Sequence, residues 1–191
     1  MFDLVSPTPE FTRELGAGLS RILRAGDVVS LGGELGAGKT CLTQGIANGL
    51  GISETVTSPT FVIMHEYDGR TPLVHLDVYR FERLADLSDL GAEEVFRSDA
   101  VAVVEWGDQV GPLLPASHLH VDLEYHPDGR RLVFTPHGDW ADRLPQLRTS
   151  LIPEGAWGGA QHLSEASMEA APRDDKMPDG APPFHAGPQS E

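Results

Sequence analysis

Lysine is almost missing from this chain. It stands at positions 39 and 176 and nowhere else, and every other basic residue is arginine. The bias is most simply genomic base composition, yet it leaves Lys39 alone over the whole stretch before the tail. Cysteine is scarcer still. Cys41 is the single one in 191 residues, which excludes an internal disulfide and fits a reducing cytosol. No apolar run approaches the length of a membrane span and no basic-then-apolar signal segment follows Met1, so the expected location is cytoplasmic, with no membrane partner. Positive charge is short overall, with 14 Lys and Arg against 29 Asp and Glu and a net charge of −15. That balance disfavours direct, salt-driven binding of a nucleic-acid backbone. The histidines carry no metal spacing: His118 and His120 share one strand face, without a cysteine or third histidine to complete a ligand set. Internal repeats are absent.

What is present is concentrated at residues 33–40, which read G-E-L-G-A-G-K-T. This is the G-x-x-x-x-G-K-[ST] pattern of a phosphate-binding loop. The apolar run Val28, Val29, Ser30, Leu31 before it reads as a buried strand, and Leu42, Ile46 and Leu50 after it have helical spacing. Strand, glycine loop and helix is the context the pattern needs. The glycines let successive backbone N–H groups turn inward around phosphate oxygens, and the helix start adds its positive dipole end. Lys39 can neutralise the β- and γ-phosphates, and the Thr40 hydroxyl can ligate Mg²⁺. The sequence therefore reads as a nucleoside triphosphate binder.

Around this loop the chain organises as one domain over residues 1–151. Thr8, Pro9 and Glu10 mark a helix start, and Phe11, Leu15, Leu19, Ile22 and Leu23 continue an apolar stripe toward Gly26. Residues 61–67 and 73–79 read as an antiparallel hairpin around the Asp68, Gly69, Arg70 turn. Residues 82–96 read as one or two short helices. Ala100–Val104 is fully apolar, as expected of a strand buried in a parallel sheet. Leu119–Leu123 and Arg131–Phe134 suggest a last hairpin, and a short helix after Asp139 closes the domain near Leu151. Residues 152–191, rich in Pro, Gly, Ala and acids without periodicity, read as a disordered tail, with a docking segment as the alternative.

A phosphate loop needs an acid at the end of a neighbouring strand. Glu105 fits best, at the carboxyl edge where ligands bind in such sheets, and Asp77 is a second. One carboxylate can hold the metal while the other orients or deprotonates the attacking water; a strand-end surface acid is the bland alternative for each. Arg80 and Arg130 are candidates to meet charge developing on phosphate oxygens, or else solvated surface arginines. Trp106 either shields the site, packs against a partner, or packs in the core. The hydroxyl-rich loop 57–61 is either a switch segment or a plain turn. Cys41, next to Thr40, is either open to thiol reagents or a small packing residue.

With G-E-L-G-A-G-K-T at 33–40, T-S-P-T-F at 57–61, H-L-D-V-Y-R at 75–80 and V-E-W at 104–106, the chain resembles the TsaE family from about residue 4 to residue 148. These are small bacterial P-loop ATPases of the machinery that makes threonylcarbamoyladenosine in tRNA. The resemblance implies an α/β, P-loop NTPase-like three-layer sandwich, a mixed sheet with helices on both faces. It implies ATP and Mg²⁺ as ligands, with Mg²⁺ held by Thr40 and Glu105. Lys39, Asp77 and Glu105 would be the catalytic residues. Nucleotide contacts would fall at Gly36, Ala37, Gly38, Lys39, Thr40 and Cys41, and more loosely at Pro9 and Arg130. It further implies a weak ATPase whose partners are transferase subunits of the TsaB and TsaD type. In that family hydrolysis drives cycling of the partner complex rather than forming the carbamoyl bond. Direct tRNA binding is not expected, on the separate ground of the acidic charge.

Three rivals share the phosphate loop. A small-molecule kinase carries an arginine-bearing lid, for which the short, acidic stretch 82–99 is a poor match. A GTPase needs an [NT]-K-x-D sequence, which the lysine shortage forbids. A non-hydrolysing nucleotide sensor has no use for both Asp77 and Glu105.

Overall fold

A computed structural model describes residues 1–59, 62–79, 96 and 99–151. The expected helices at 82–96 (apart from Phe96), Arg80, and the tail 152–191 lie outside the described residues. The same holds for Thr60 and Phe61.

The centre is a mixed seven-stranded sheet of β1 (Phe2–Ser6), β2 (Val28–Gly32), β3 (Met64–Tyr67), β4 (Leu73–Asp77), β5 (Val101–Glu105), β6 (His118–His126) and β7 (Gly129–His137). Their order across the sheet is β1-β7-β6-β2-β5-β4-β3. β2 is flanked by parallel neighbours on both sides, β5 and β6, and β4 lies parallel beyond β5. The two edges are antiparallel, β3 on β4 and β1 on β7. The fully buried run of β5 suits its central place: both faces are covered, so its residues need no alternation.

One face carries α1 (Pro9–Ser20), α2 (Lys39–Gly49) and α3 (Leu144–Leu151). Leu15, Leu19, Leu42, Ile46 and Leu147 pack there against Val29, Leu31, Val101, Val103 and Val121. On the other face Val74, Leu76, Ala102 and Val104 pack with Phe96 and Val110, the latter in the 3-10 segment Gly107–Leu113. The start of α1 follows from its sequence. The Thr8 hydroxyl accepts from the Phe11 N–H at 3.2 Å, and Pro9 occupies the first turn.

The structure departs from the sequence reading in three places. β1 was not expected; it is a short edge strand held by Phe2, whose ring stacks on Phe134 with centroids 4.9 Å apart. α1 ends at Ser20, short of Leu23, because the Arg21 and Ile22 N–H groups bond three residues back and tighten the chain into the turn that feeds β2. Leu23 stays buried all the same. The third strand starts at Met64 rather than residue 61, since Ile63 sits at φ 73° and both it and Val62 bond back to the Pro59 carbonyl.

α1 lies close against α2 because glycine lets it. A Cβ on Gly45 would collide with the Arg13 carbonyl, a backbone atom with no freedom to retreat. In a free helix interior Gly→Ala gains about 0.5–1 kcal/mol; here Gly45→Ala is expected to lower the thermal midpoint instead. The larger Gly45→Leu is expected to cost about 1–3 kcal/mol or more. A Gly45→Ala melt at or above that of the parent protein would contradict this packing.

Candidate functional site

Three chain segments meet at the carboxyl end of β2. The first is the glycine loop, which leaves β2 and enters α2 through Gly38. That residue has φ 109°, a region L side chains rarely adopt, and it caps the helix without any side-chain hydrogen bond. The first backbone bond of α2 runs from the Leu42 N–H to the Gly38 carbonyl, 3.0 Å. The N–H groups of Lys39, Thr40 and Cys41 precede it and have no partner within the helix. Together with the dipole they make an anion site of the kind that binds phosphate.

The second segment is the pair of strand ends. Asp77 and Glu105 face each other in register, closing β4 and β5. They are only 4% and 3% exposed, which removes the reading of either as a surface acid. The Thr40 hydroxyl donates to Glu105 Oε2 at 3.1 Å. His75 Nε2 lies 2.9 Å from Glu105 Oε1. Asp77 accepts from the Ser58 hydroxyl at 2.5 Å and from the Tyr79 N–H at 3.1 Å. The loop at 57–59 is thereby tied to the acid pair.

The third is the tip of the β6–β7 hairpin. Tyr125 and Arg130 are register partners, and the guanidinium lies 4.1 Å from the Tyr125 ring centre. Tyr125 donates its hydroxyl to the Leu35 carbonyl at 3.0 Å, and Arg130 reaches the Gly36 carbonyl at 3.4 Å. On the opposite flank the Cys41 thiol points at the Pro9 carbonyl, 3.1 Å away.

Lys39 is buried under this roof. Its ammonium donates to the Gly33 and Glu34 carbonyls at 2.7 and 2.9 Å and stands 3.5 Å from the centre of the Trp106 ring. Burial pulls its pKa below the ordinary lysine value, while Glu105, Asp77 and Asp108 act the other way. Trp106 serves two of the roles left open by the sequence. It covers Lys39 and packs on the second core, and its backbone at φ 62° turns the chain sharply out of β5.

The chain thus brings together Lys39, Thr40, Asp77 and Glu105, with Gly36, Ala37, Gly38, Cys41, Pro9 and Arg130 around them. Two partners went unremarked in the sequence. His75 shares a strand face with Asp77, two residues on, so the period-2 rule could have found it. Tyr125 could have been found from the hairpin register that sets it opposite Arg130. The donor set also suits a hard divalent cation. A hydroxyl and a carboxylate oxygen lie side by side, a second carboxylate adjoins, and Mg²⁺ takes few protein oxygens and keeps waters or phosphates for the rest. Among the described residues the other histidines are engaged elsewhere: His118 with the Pro115 carbonyl and stacked on His137, His120 with Ser30 and Asp122.

The family model of the threonylcarbamoyl adenosine biosynthesis protein TsaE matches residues 6–133. The chain belongs to the TsaE family. Among its relatives, the tRNA threonylcarbamoyladenosine biosynthesis protein TsaE of Treponema pallidum is 44% identical over 127 residues, 66% of this chain and 94% of that one. The Bacillus subtilis protein of the same name is 42% identical over 138 residues, covering 71% and 86%. The crystal structure of Bacillus subtilis YdiB superposes with a TM-score of 0.64 at 35% identity, covering 79% of this chain and 95% of that one. The fold is accordingly the α/β, P-loop-like architecture of TsaE proteins.

Burial raises the Cys41 thiol above its ordinary 9.0, with Arg13 opposing and Glu10 reinforcing the shift. Only the thiolate is nucleophilic, so a raised pKa means little reactive form at neutral pH. Alkylation of this TsaE-family chain by iodoacetamide should be slow at pH 7 and climb roughly tenfold per pH unit through pH 9. A rate already level at pH 8 would refute the half-buried setting of the thiol.

Proposed function

We propose that this chain is a Mg²⁺-dependent ATPase that binds ATP in the glycine loop and hydrolyses it weakly. It serves the threonylcarbamoyl modification of tRNA adenosine. It acts on a partner transferase complex of TsaB- and TsaD-type subunits, in the cytoplasm, and does not form the carbamoyl bond itself. The observation that carries the reading is the contact between Thr40 at the open start of α2 and the buried Glu105 at the end of β5. Hydroxyl and acid meet where a triphosphate tail on the loop would present its β- and γ-oxygens. The names of the curated relatives support the pathway.

In this reading the N–H groups of residues 36–41 and the dipole of α2 bind the phosphate chain. Lys39 offsets charge on the β- and γ-phosphates. Pro9 and Arg130, on opposite flanks of the loop, border the rest of the nucleotide. Thr40 and Glu105 would hold Mg²⁺, which draws charge off the phosphate oxygens when bound. Ser58 and Tyr79 each donate to one oxygen of Asp77. Its carboxylate is therefore fixed in orientation at the end of β4. That arrangement suits it to orient the attacking water or take its proton.

Lys39→Ala should abolish ATP binding in calorimetric titration. Glu105→Ala should bind ATP but lose Mg²⁺-dependent hydrolysis by on the order of 10²-fold. Hydrolysis should rise when the transferase partners are added. Unchanged turnover in Glu105→Ala, or phosphoryl transfer to a small acceptor in the absence of partners, would overturn the assignment.

A further inference from the structure

His75 is fully buried in the middle of the sheet, with no exposed surface. Histidine is a costly choice for such a position, since each ring nitrogen taken from water needs a partner. Only one has it among the described residues. Nε2 meets Glu105 Oε1 at 2.9 Å, while Nδ1 is buried without a hydrogen bond. An ionised carboxylate can only accept, so the proton of this bond belongs to Nε2, and in the neutral ring Nδ1 then carries a bare lone pair. An apolar residue would fill the space without leaving an orphaned atom. What it would lose is the bond to Glu105.

That bond has a defined geometric effect. Glu105 Oε2 receives the Thr40 hydroxyl and Oε1 receives His75. The carboxylate is thus held at both oxygens, by donors from α2 on one side and β4 on the other. Without His75 it retains only the Thr40 contact and can rotate about its last torsion, a broad and soft degree of freedom. We infer that His75 is a positioning residue: its Nε2–H sets the plane of the Glu105 carboxylate so that Oε2 faces Thr40 and the cation shared with the nucleotide. This rests on the Mg²⁺-ATP reading above. Outer partners of this kind change metal affinity about 10- to 100-fold when removed.

Two substitutions of similar polarity separate the role from mere packing. In His75→Gln the side-chain amide nitrogen can occupy the place of Nε2 and still donate to Glu105. In His75→Asn the amide reaches only as far as Nδ1, and Glu105 loses its donor. The measurement is the Mg²⁺ concentration that half-saturates the Mg²⁺-dependent tightening of ATP binding, followed by calorimetry with the full chain. His75→Asn should raise it about 10-fold or more, with ATP affinity in excess EDTA unchanged, and His75→Gln should stay near the parent value. A parent-like midpoint in His75→Asn, or equal shifts in both variants, would overturn the inference. Nitrogen-15 shifts of His75 in the unsubstituted protein test it without any variant: a protonated Nε2 and bare Nδ1 are expected, and the opposite tautomer would overturn it. Absence of any Mg²⁺ effect on ATP binding in the unsubstituted protein would instead sink the ATPase reading itself, and this inference with it.

Discussion

The parallel alignment of β2 between β5 and β6 is the constraint on which the site depends. It places the exit of β2, where the glycine loop begins, level with the ends of its neighbours. Leu31 is opposite Glu105, and Glu105 is opposite Asp77. A slip of one residue in either pairing would turn the carboxylates to the other face of the sheet. The apolar core resists such a slip. Val101 and Val103 must remain on the α1–α2 face and Ala102 and Val104 on the opposite one. The hydrophobic pattern of the central strands therefore fixes the geometry of the polar groups at their ends.

Those polar groups are buried, and each carboxylate is held by named donors. Glu105 has Thr40 and His75; Asp77 has Ser58 and the Tyr79 N–H. Buried acids left unsatisfied would cost several kcal/mol apiece, so the donors are a condition of folding as well as of position. They also come from separate parts of the chain: α2, β4, the loop before β3 and the turn after β4. Any displacement of the loop at 57–59 is felt at Asp77 through Ser58, and any displacement of α2 at Glu105 through Thr40.

Much of this was legible because its signals are local. The glycine loop, the Thr8–Pro9 helix start, the apolar strand before Glu105 and the two hairpins each occupy a short window, and the structure has them all in place. β1 was missed because five residues at an edge give too little alternation to read, and its pairing partners lie more than a hundred residues away in β7. The end of α1 was overrun because Ile22 and Leu23 keep the apolar spacing while the backbone has already turned. The burial of Asp77 and Glu105 could be guessed from the flanking strands. The bond from His75 could not, because it crosses from one strand to the next and depends on their register. Tyr125 was overlooked although the hairpin register sets it opposite Arg130.

Charge explains why metal and nucleotide belong together in this reading. Lys39 is the one lysine in the first 175 residues, and it faces Glu105, Asp77 and Asp108. The start of α2 adds the equivalent of about half a positive charge. Against two buried carboxylates that sum would hold a bare triphosphate less tightly, since its several negative charges would meet repulsion in a site where burial weakens screening. A divalent cation brought with the triphosphate reverses the balance, and Thr40 and Glu105 are where its remaining coordination positions would be met. The same carboxylates that would receive the cation would thus weaken binding of the nucleotide without it, so in this reading the acid pair would favour the complex over the nucleotide alone.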